Sequence, residues 1–120
     1  MTYTLYQRLG EAAGISRLVD DVMAAHLANP LVKTRFEAIK DIDHAKRMAR
    51  EFFCAGAGGP QAYTGKDMRT AHTGMNISEQ EFVAVADDIV NAMEKHKYDE
   101  ETKSEVVAIL HALKRDIVHL

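Results

Sequence analysis

Apolar residues recur at helical spacing along most of the chain. Ile15, Leu18, Val19, Val22, Met23 and Leu27 follow one another at three- and four-residue steps, which predicts a half-buried helix broken by Asn29-Pro30. Its start lies open between Glu11, Gly14 and a Ser16 cap. Ahead of it, Leu5, Tyr6 and Leu9 make a short apolar face that Gly10 stops. Behind it, Leu31, Val32 and Phe36 predict a brief helical or 3₁₀ segment. Ile42, Ala45, Ala49, Phe52, Phe53 and Gly56 then share one side of a helix that Asp41 or Asp43 caps and that runs to about Ala55. Lys46, Arg47 and Arg50 fall on its other side.

The centre of the chain, Gly58 to Ile77, breaks this rhythm. Gly58-Gly59-Pro60 ends the preceding helix, because glycine loses most entropy in a helix and Pro60 disfavours the α conformation at Gly59. Thr64 or Gly65 can open a new helix, and Gly74 closes it after about two turns. A helix that short is marginal alone and needs a surface to rest on. Beyond it, Ser78 and Glu81 form a capping box ahead of the stripe Phe82, Val85, Ala86, Ile89, Val90 and Met93. His96-Lys97-Tyr98 ends that helix. Asp99 caps the last one, with the stripe Val106, Ile109, Leu110, Leu113 and Ile117. No strand, repeat or linker is visible, so residues 1–120 read as one all-α domain.

Composition narrows the function. At 120 residues, 47% hydrophobic and 28% charged, the chain suits a single globular domain with a real core. A formal net charge of −3 argues against nucleic acid as a partner. No apolar run approaches a membrane span, and the N-terminus lacks the pattern of a signal peptide. The single cysteine, Cys54, fits a reducing cytoplasm. Cys54 stands in no CxxCH segment, which excludes covalent c-type haem attachment by that route. No catalytic triad or zinc pattern is present, and the glycines at 56–59 follow a helix rather than a strand, unlike a phosphate loop.

Candidate chemistry concentrates at His72, near the end of the short central helix. A lone histidine is more often a surface or satisfied core group, and His26, His111 and His119 read that way. The surrounding pattern sets His72 apart. The segment YTGKDMRTAHTGMNIS and the Phe82 helix after it closely resemble the truncated haemoglobins of group I. The likeness continues in LYQRLGEAAGISRLVDDVM and FFCAGAGGP, and so covers nearly the whole chain. The resemblance implies a two-over-two helical sandwich around a non-covalent haem b, with His72 as the proximal iron ligand. Met68, Met75 and Ile77 would flank that ligand, and Phe36 would lie on the haem face. Tyr63 would bond a propionate, and Lys46, Arg47 and Arg50 would lie within reach of one. Phe52, Phe53, Phe82, Val85 and Leu110 would wall the cofactor.

On the distal side this chain departs from the family pattern. The tyrosine that many members carry on the second helix falls on Met23, and the two polar positions of the fourth helix fall on Ala45 and Ala49. None of these side chains donates a hydrogen bond. The expected consequence is weak or fast-leaving O₂, with CO comparatively favoured. Three further readings concern the sixth iron position: open or water-occupied, held by the soft thioether of Met48, or held by His44 one turn earlier; Met23 is a fourth. In the family's usual arrangement two glycines follow one another at the first turn, whereas here Glu11 follows Gly10 and Gly14 is displaced.

The expected function is reversible binding of diatomic gases (O₂, CO, NO) at haem iron. The alternative is a six-coordinate His/Met haem protein in electron transfer or redox sensing. Nitric oxide dioxygenase or peroxidase-like chemistry would be a side activity rather than a dedicated one, since Ala45 and Ala49 supply neither base nor cation. A haemless globin acting as an interaction module is the remaining reading. An outside electron donor and a monomer or weak dimer complete the expectation.

Overall fold

A computed structural model describes residues 3–120 and is helical almost throughout. In chain order the helices are α1 (Leu5–Arg8), α2 (Glu11–Ala28), α3 (Lys33–Glu37), α4 (Ile42–Gly56), α5 (Met68–His72), α6 (Glu79–Lys95) and α7 (Glu100–Leu113). A 3₁₀ turn, Lys114–Asp116, follows α7. Five starts are fixed by side-chain caps of the kind the sequence announces. Asp41, Asp67 and Asp99 each accept a backbone N–H three residues on, and Thr4–Gln7 and Ser78–Glu81 form reciprocal capping boxes. Among the described residues no helix is long and apolar enough to cross a membrane.

Two helix pairs make the sandwich: α2 rests on α4, α6 rests on α7, and α2 also crosses α6. The core lies between them, with Ile15, Leu18, Val19 and Val22 of α2 against Cys54, Ile89, Ala92, Met93 and Val106. Burying each large side chain here contributes about 1.5–3 kcal/mol. The stripes of α2 and α6 face inward as expected, whereas the α4 stripe is half-buried with Gly56 exposed, only Val106 of the α7 stripe is buried, and Leu31 lies exposed.

One open reading is resolved and two local expectations are corrected. First, α2 begins at Glu11, one of the three starts the sequence leaves open, and runs straight through Ser16. Gly10 takes φ +95°, which lets the chain turn directly from α1 into α2. Gly14, inside α2, is needed for a different reason: a Cβ there would stand 2.2 Å from the Leu9 carbonyl oxygen. The displaced glycine is thus the one that lets α1 lie against α2. Second, the central helix starts at Met68, not at Thr64 or Gly65. Glu51 of α4 accepts both the backbone N–H (2.8 Å) and the hydroxyl (2.7 Å) of Thr64, holding it out of helical geometry. Third, the last helix stops at Leu113 rather than continuing through Ile117, and the chain after it returns to α5. Val118 forms an isolated parallel bridge with Ile77, and no strand is present among the described residues.

A buried polar cluster joins α2 to α6 inside the sandwich. His26 of α2 is buried, and its Nδ1 lies 2.8 Å from Asp88 Oδ2 of α6. Asn29 donates to both Asp88 oxygens, at 3.1 and 3.2 Å. The His26 ring stacks on Phe36 of α3 with centroids 4.4 Å apart. Burial pushes the His26 imidazole below its ordinary 6.5, against the opposing pull of Asp88. A neutral ring that donates Nδ1–H to the carboxylate satisfies both constraints.

Two stability measurements check this fold. Gly14→Ala should lower unfolding free energy by about 2 kcal/mol or more, since the new methyl meets backbone. Gly56→Ala, with open space at its Cβ, should be neutral or raise stability by up to about 1 kcal/mol; urea unfolding reads both. Chemical denaturation across pH checks the buried histidine. With its folded pKa lowered, the unfolded chain binds more protons below about pH 6.5. Stability should therefore be level above that value and fall on acidification through it. A second loss should appear between pH 4.5 and about 2, where the Glu81 carboxyl, held at about 2 chiefly by hydrogen bonding to Arg35, is protonated in the unfolded chain first.

Candidate functional site

The short helix α5 positions His72, and the structure shows what steadies it. His72 Nδ1 lies 2.7 Å from the Met68 carbonyl oxygen, one turn earlier. A carbonyl only accepts, so Nδ1 carries the hydrogen and Nε2 of the neutral ring keeps its lone pair. Arg69 of the same helix pairs with Asp116 at 3.1 Å. The loop after His72 is tied down from two sides. Gly74 N and Asn76 N both donate to the Leu120 main-chain oxygen at 3.0 Å, and His119 N donates to Ile77 O at 2.8 Å. From α3, Arg35 donates to the Met75 carbonyl at 2.9 Å.

His72 lines an apolar cavity of about 290 Å³ together with Val32, Arg35, Phe36, Ile39, Met75, Ile77, Glu81, Phe82, Val85, Leu110 and Ile117. Six residues expected around a cofactor therefore meet at one place with His72: Phe36, Met75, Ile77, Phe82, Val85 and Leu110. Arg35 and Glu81 were not expected there. Arg35 donates through Nε and, at 3.1 Å, through its terminal amino group to the two carboxylate oxygens of Glu81. The two residues stand 46 positions apart, and the capping box with Ser78 already accounts for Glu81 in the sequence.

A second, more open cavity of about 620 Å³ is lined by His44, Arg47, Met48, Tyr63, Thr64, Gly65, Lys66 and Ala71. It brings together both side chains considered for a sixth ligand, His44 and Met48. Ala71 faces this cavity and its neighbour His72 faces the other. Phe52 and Phe53 line a third, tight apolar space of about 70 Å³, which shares Leu110 with the His72 cavity.

Some expected residues have other work. The Tyr63 hydroxyl donates to the Lys66 carbonyl at 2.6 Å, so its hydrogen is not free for a propionate, and its ring stands edge-on to Phe52 at 5.4 Å. Burial, with the carboxylates of Asp67 and Glu51 nearby, pushes that phenol up from 10. Lys46 pairs with Asp20 of α2 at 3.4 Å, and Arg50 borders a groove with Cys54 and Gln61, so of the three basic side chains only Arg47 lines the open cavity. Met68 is half-buried and serves through its carbonyl. Ala45 is half-buried, Ala49 lies against the core, and Met23 is buried.

Among the described residues no group of three or more His, Cys, Asp or Glu side chains converges as a metal site. His72 offers one imidazole nitrogen in an apolar cavity. That donor set suits a metal that arrives within a flat organic macrocycle, whose ring nitrogens complete the coordination and whose faces match apolar walls.

Comparison with known proteins identifies the family and the fold. The Bacterial-like globin family matches residues 4–119. The chain is 26% identical to the group 1 truncated hemoglobin of Tetrahymena pyriformis over 115 residues, covering 96% of this chain and 94% of that one. It is 30% identical to a group 1 truncated hemoglobin of a Synechocystis species over 124 aligned positions, covering 97% and 98%. The crystal structure of the Tetrahymena pyriformis protein in its Fe(III) form superposes with a TM-score of 0.93 at 25% identity, covering 98% of this chain and all of that one. The helices, their order and the span of these matches establish that this chain belongs to the bacterial-like globins and, among them, to the group 1 truncated haemoglobins.

Proposed function

We propose that this chain holds haem through His72 and binds diatomic gases on the α4 side, in a pocket poor in hydrogen-bond donors. The observation that carries the reading is the 2.7 Å bond from His72 Nδ1 to the Met68 carbonyl. It places the hydrogen on Nδ1, leaves Nε2 as the nitrogen able to coordinate, and aligns the ring within a cavity whose other walls are largely apolar. Haem is the cofactor of this globin family, and its ferrous iron supplies the site for O₂, CO or NO. Phe36, Phe82, Val85 and Leu110 would bury the macrocycle and exclude water. Arg47 and Lys66, at the rim of the open cavity, would face its propionates.

Ala45, Ala49 and Met23 stand where the resemblance would put distal donors, and none of them donates. A hydrogen bond to a partly anionic gas ligand contributes about 1–3 kcal/mol. O₂ should therefore leave quickly, while CO, which needs the donor less, is comparatively favoured. A second reading follows from the shared lining of the open cavity: half-buried Met48, or His44 at the start of the same helix, closes the sixth position. That form would suit electron transfer or redox sensing. In either reading the iron is kept reduced by an outside donor.

Optical spectra of the ferrous protein, with and without CO, separate these readings: one broad visible band for an open site, a split low-spin pair for an occupied one. His72→Gly should abolish the normal ferrous spectrum, and added imidazole should restore it; an unchanged spectrum overturns His72 as ligand. Ala45→Gln should slow O₂ dissociation by about tenfold or more in stopped flow. An off-rate that was already slow in the unmodified protein would contradict the donor-poor pocket.

A further inference from the structure

We propose that Arg35 is a positioning residue for His72, acting through the Met75 carbonyl to hold the segment after the ligand at a fixed angle. The inference rests on the reading of His72 as iron ligand. A five-residue helix cannot set the direction of its last side chain by itself. His72 is the last residue of α5, so its backbone is continuous with the loop that Arg35 grips. The connection is short: the Met75 N–H donates to the His72 carbonyl at 3.1 Å, and the Met75 carbonyl accepts from Arg35 at 2.9 Å. Arg35 is itself aimed by Glu81, which takes two of its N–H groups and is anchored in turn by the α6 capping box. A bidentate guanidinium–carboxylate pair fixes the plane of the fork. Such a pair at the edge of an apolar cavity gives the donor to Met75 one direction instead of many. Arg35 also neighbours Phe36, and both line the cavity with His72. A shift of α3 would therefore be felt by the ligand loop through one hydrogen bond.

The opposite side of the loop is held by main-chain bonds from residues 119 and 120. Those bonds survive substitution at Arg35. Loss of the guanidinium should therefore leave the loop attached on one side and free to tilt, rather than unfold it.

The test is the iron–imidazole stretching band by resonance Raman, recorded in the haem-loaded ferrous protein just after photolysis of CO, so that any sixth ligand is absent. Arg35→Met should shift this band to lower frequency and broaden it, and should speed haem transfer to an apomyoglobin scavenger. Arg35→Lys, which keeps the charge and can still donate but loses the planar fork, should shift it less, and Glu81→Gln should do likewise by loosening the aim. Thermal melting is measured beside it, because a purely structural role would lower Tm and leave the band in place. A band lost in His72→Gly yet unmoved in Arg35→Met overturns the role of Arg35 alone. A band that survives His72→Gly overturns both readings. If Arg35→Met does not fold, Arg35→Lys and Glu81→Gln decide by the same criterion.

Discussion

A helix of five residues has too few internal hydrogen bonds to persist in water, yet the candidate ligand sits on one. Much of the surrounding structure can be understood as what makes that helix possible. Asp67 caps its start, the Met68 carbonyl holds the His72 ring, and Asp116 holds Arg69 from the far end of the chain. The tail beyond α7 bonds the loop that follows, and Arg35 holds it from α3. The helix is stable because its neighbours are stable. The direction of His72 is thus a property of the tertiary structure.

The two faces of the site differ in chemistry. The His72 side is walled by aliphatic and aromatic groups with one ion pair at its edge. The α4 side opens to solvent and carries Arg47, Lys66 and His44. A flat molecule with one apolar body and one anionic edge matches both demands at once, as haem does. Alanine at 45 and 49 gives α4 no side-chain hydrogen-bond donor at those positions, and Ala49 packs against the core. In the proposed function, that lack of a donor is what sets selectivity among gases.

The His26–Asp88–Asn29 cluster shows how polar groups are accommodated inside so small a sandwich. Each carboxylate oxygen of Asp88 has a partner, and the uncharged imidazole avoids the larger cost of burying a second charge. Its stacking on Phe36 gives the first cavity wall a fixed backing. His26, read from the sequence as a surface or satisfied core histidine, joins α2 to α6, and its neighbour across the stack lines the cavity.

Helix positions and inward faces were legible because they depend on local spacing. The Asp41, Ser78 and Asp99 caps and the stripes of α2, α6 and α7 all reappear. The resemblance carried by the central segment pointed to the family, since short-range motifs survive without knowledge of partners. What failed was set by contacts between distant residues. Thr64 is drawn out of a helix by Glu51, the last helix yields at Leu113 to a tail that bonds residues 74–77, and Gly14 is required by Leu9 of the preceding helix. Arg35 had no visible role, because its two partners lie 40 and 46 residues away. The chain's own local pattern was enough to give the number and order of the helices and the inward faces of α2 and α6, since these follow from residues within a few turns. Where the central and last helices start and stop, which side chains meet around His72 and how its ring is held came from the folded whole, because hydrogen bonds and packing across the chain depend on distances that no local pattern contains.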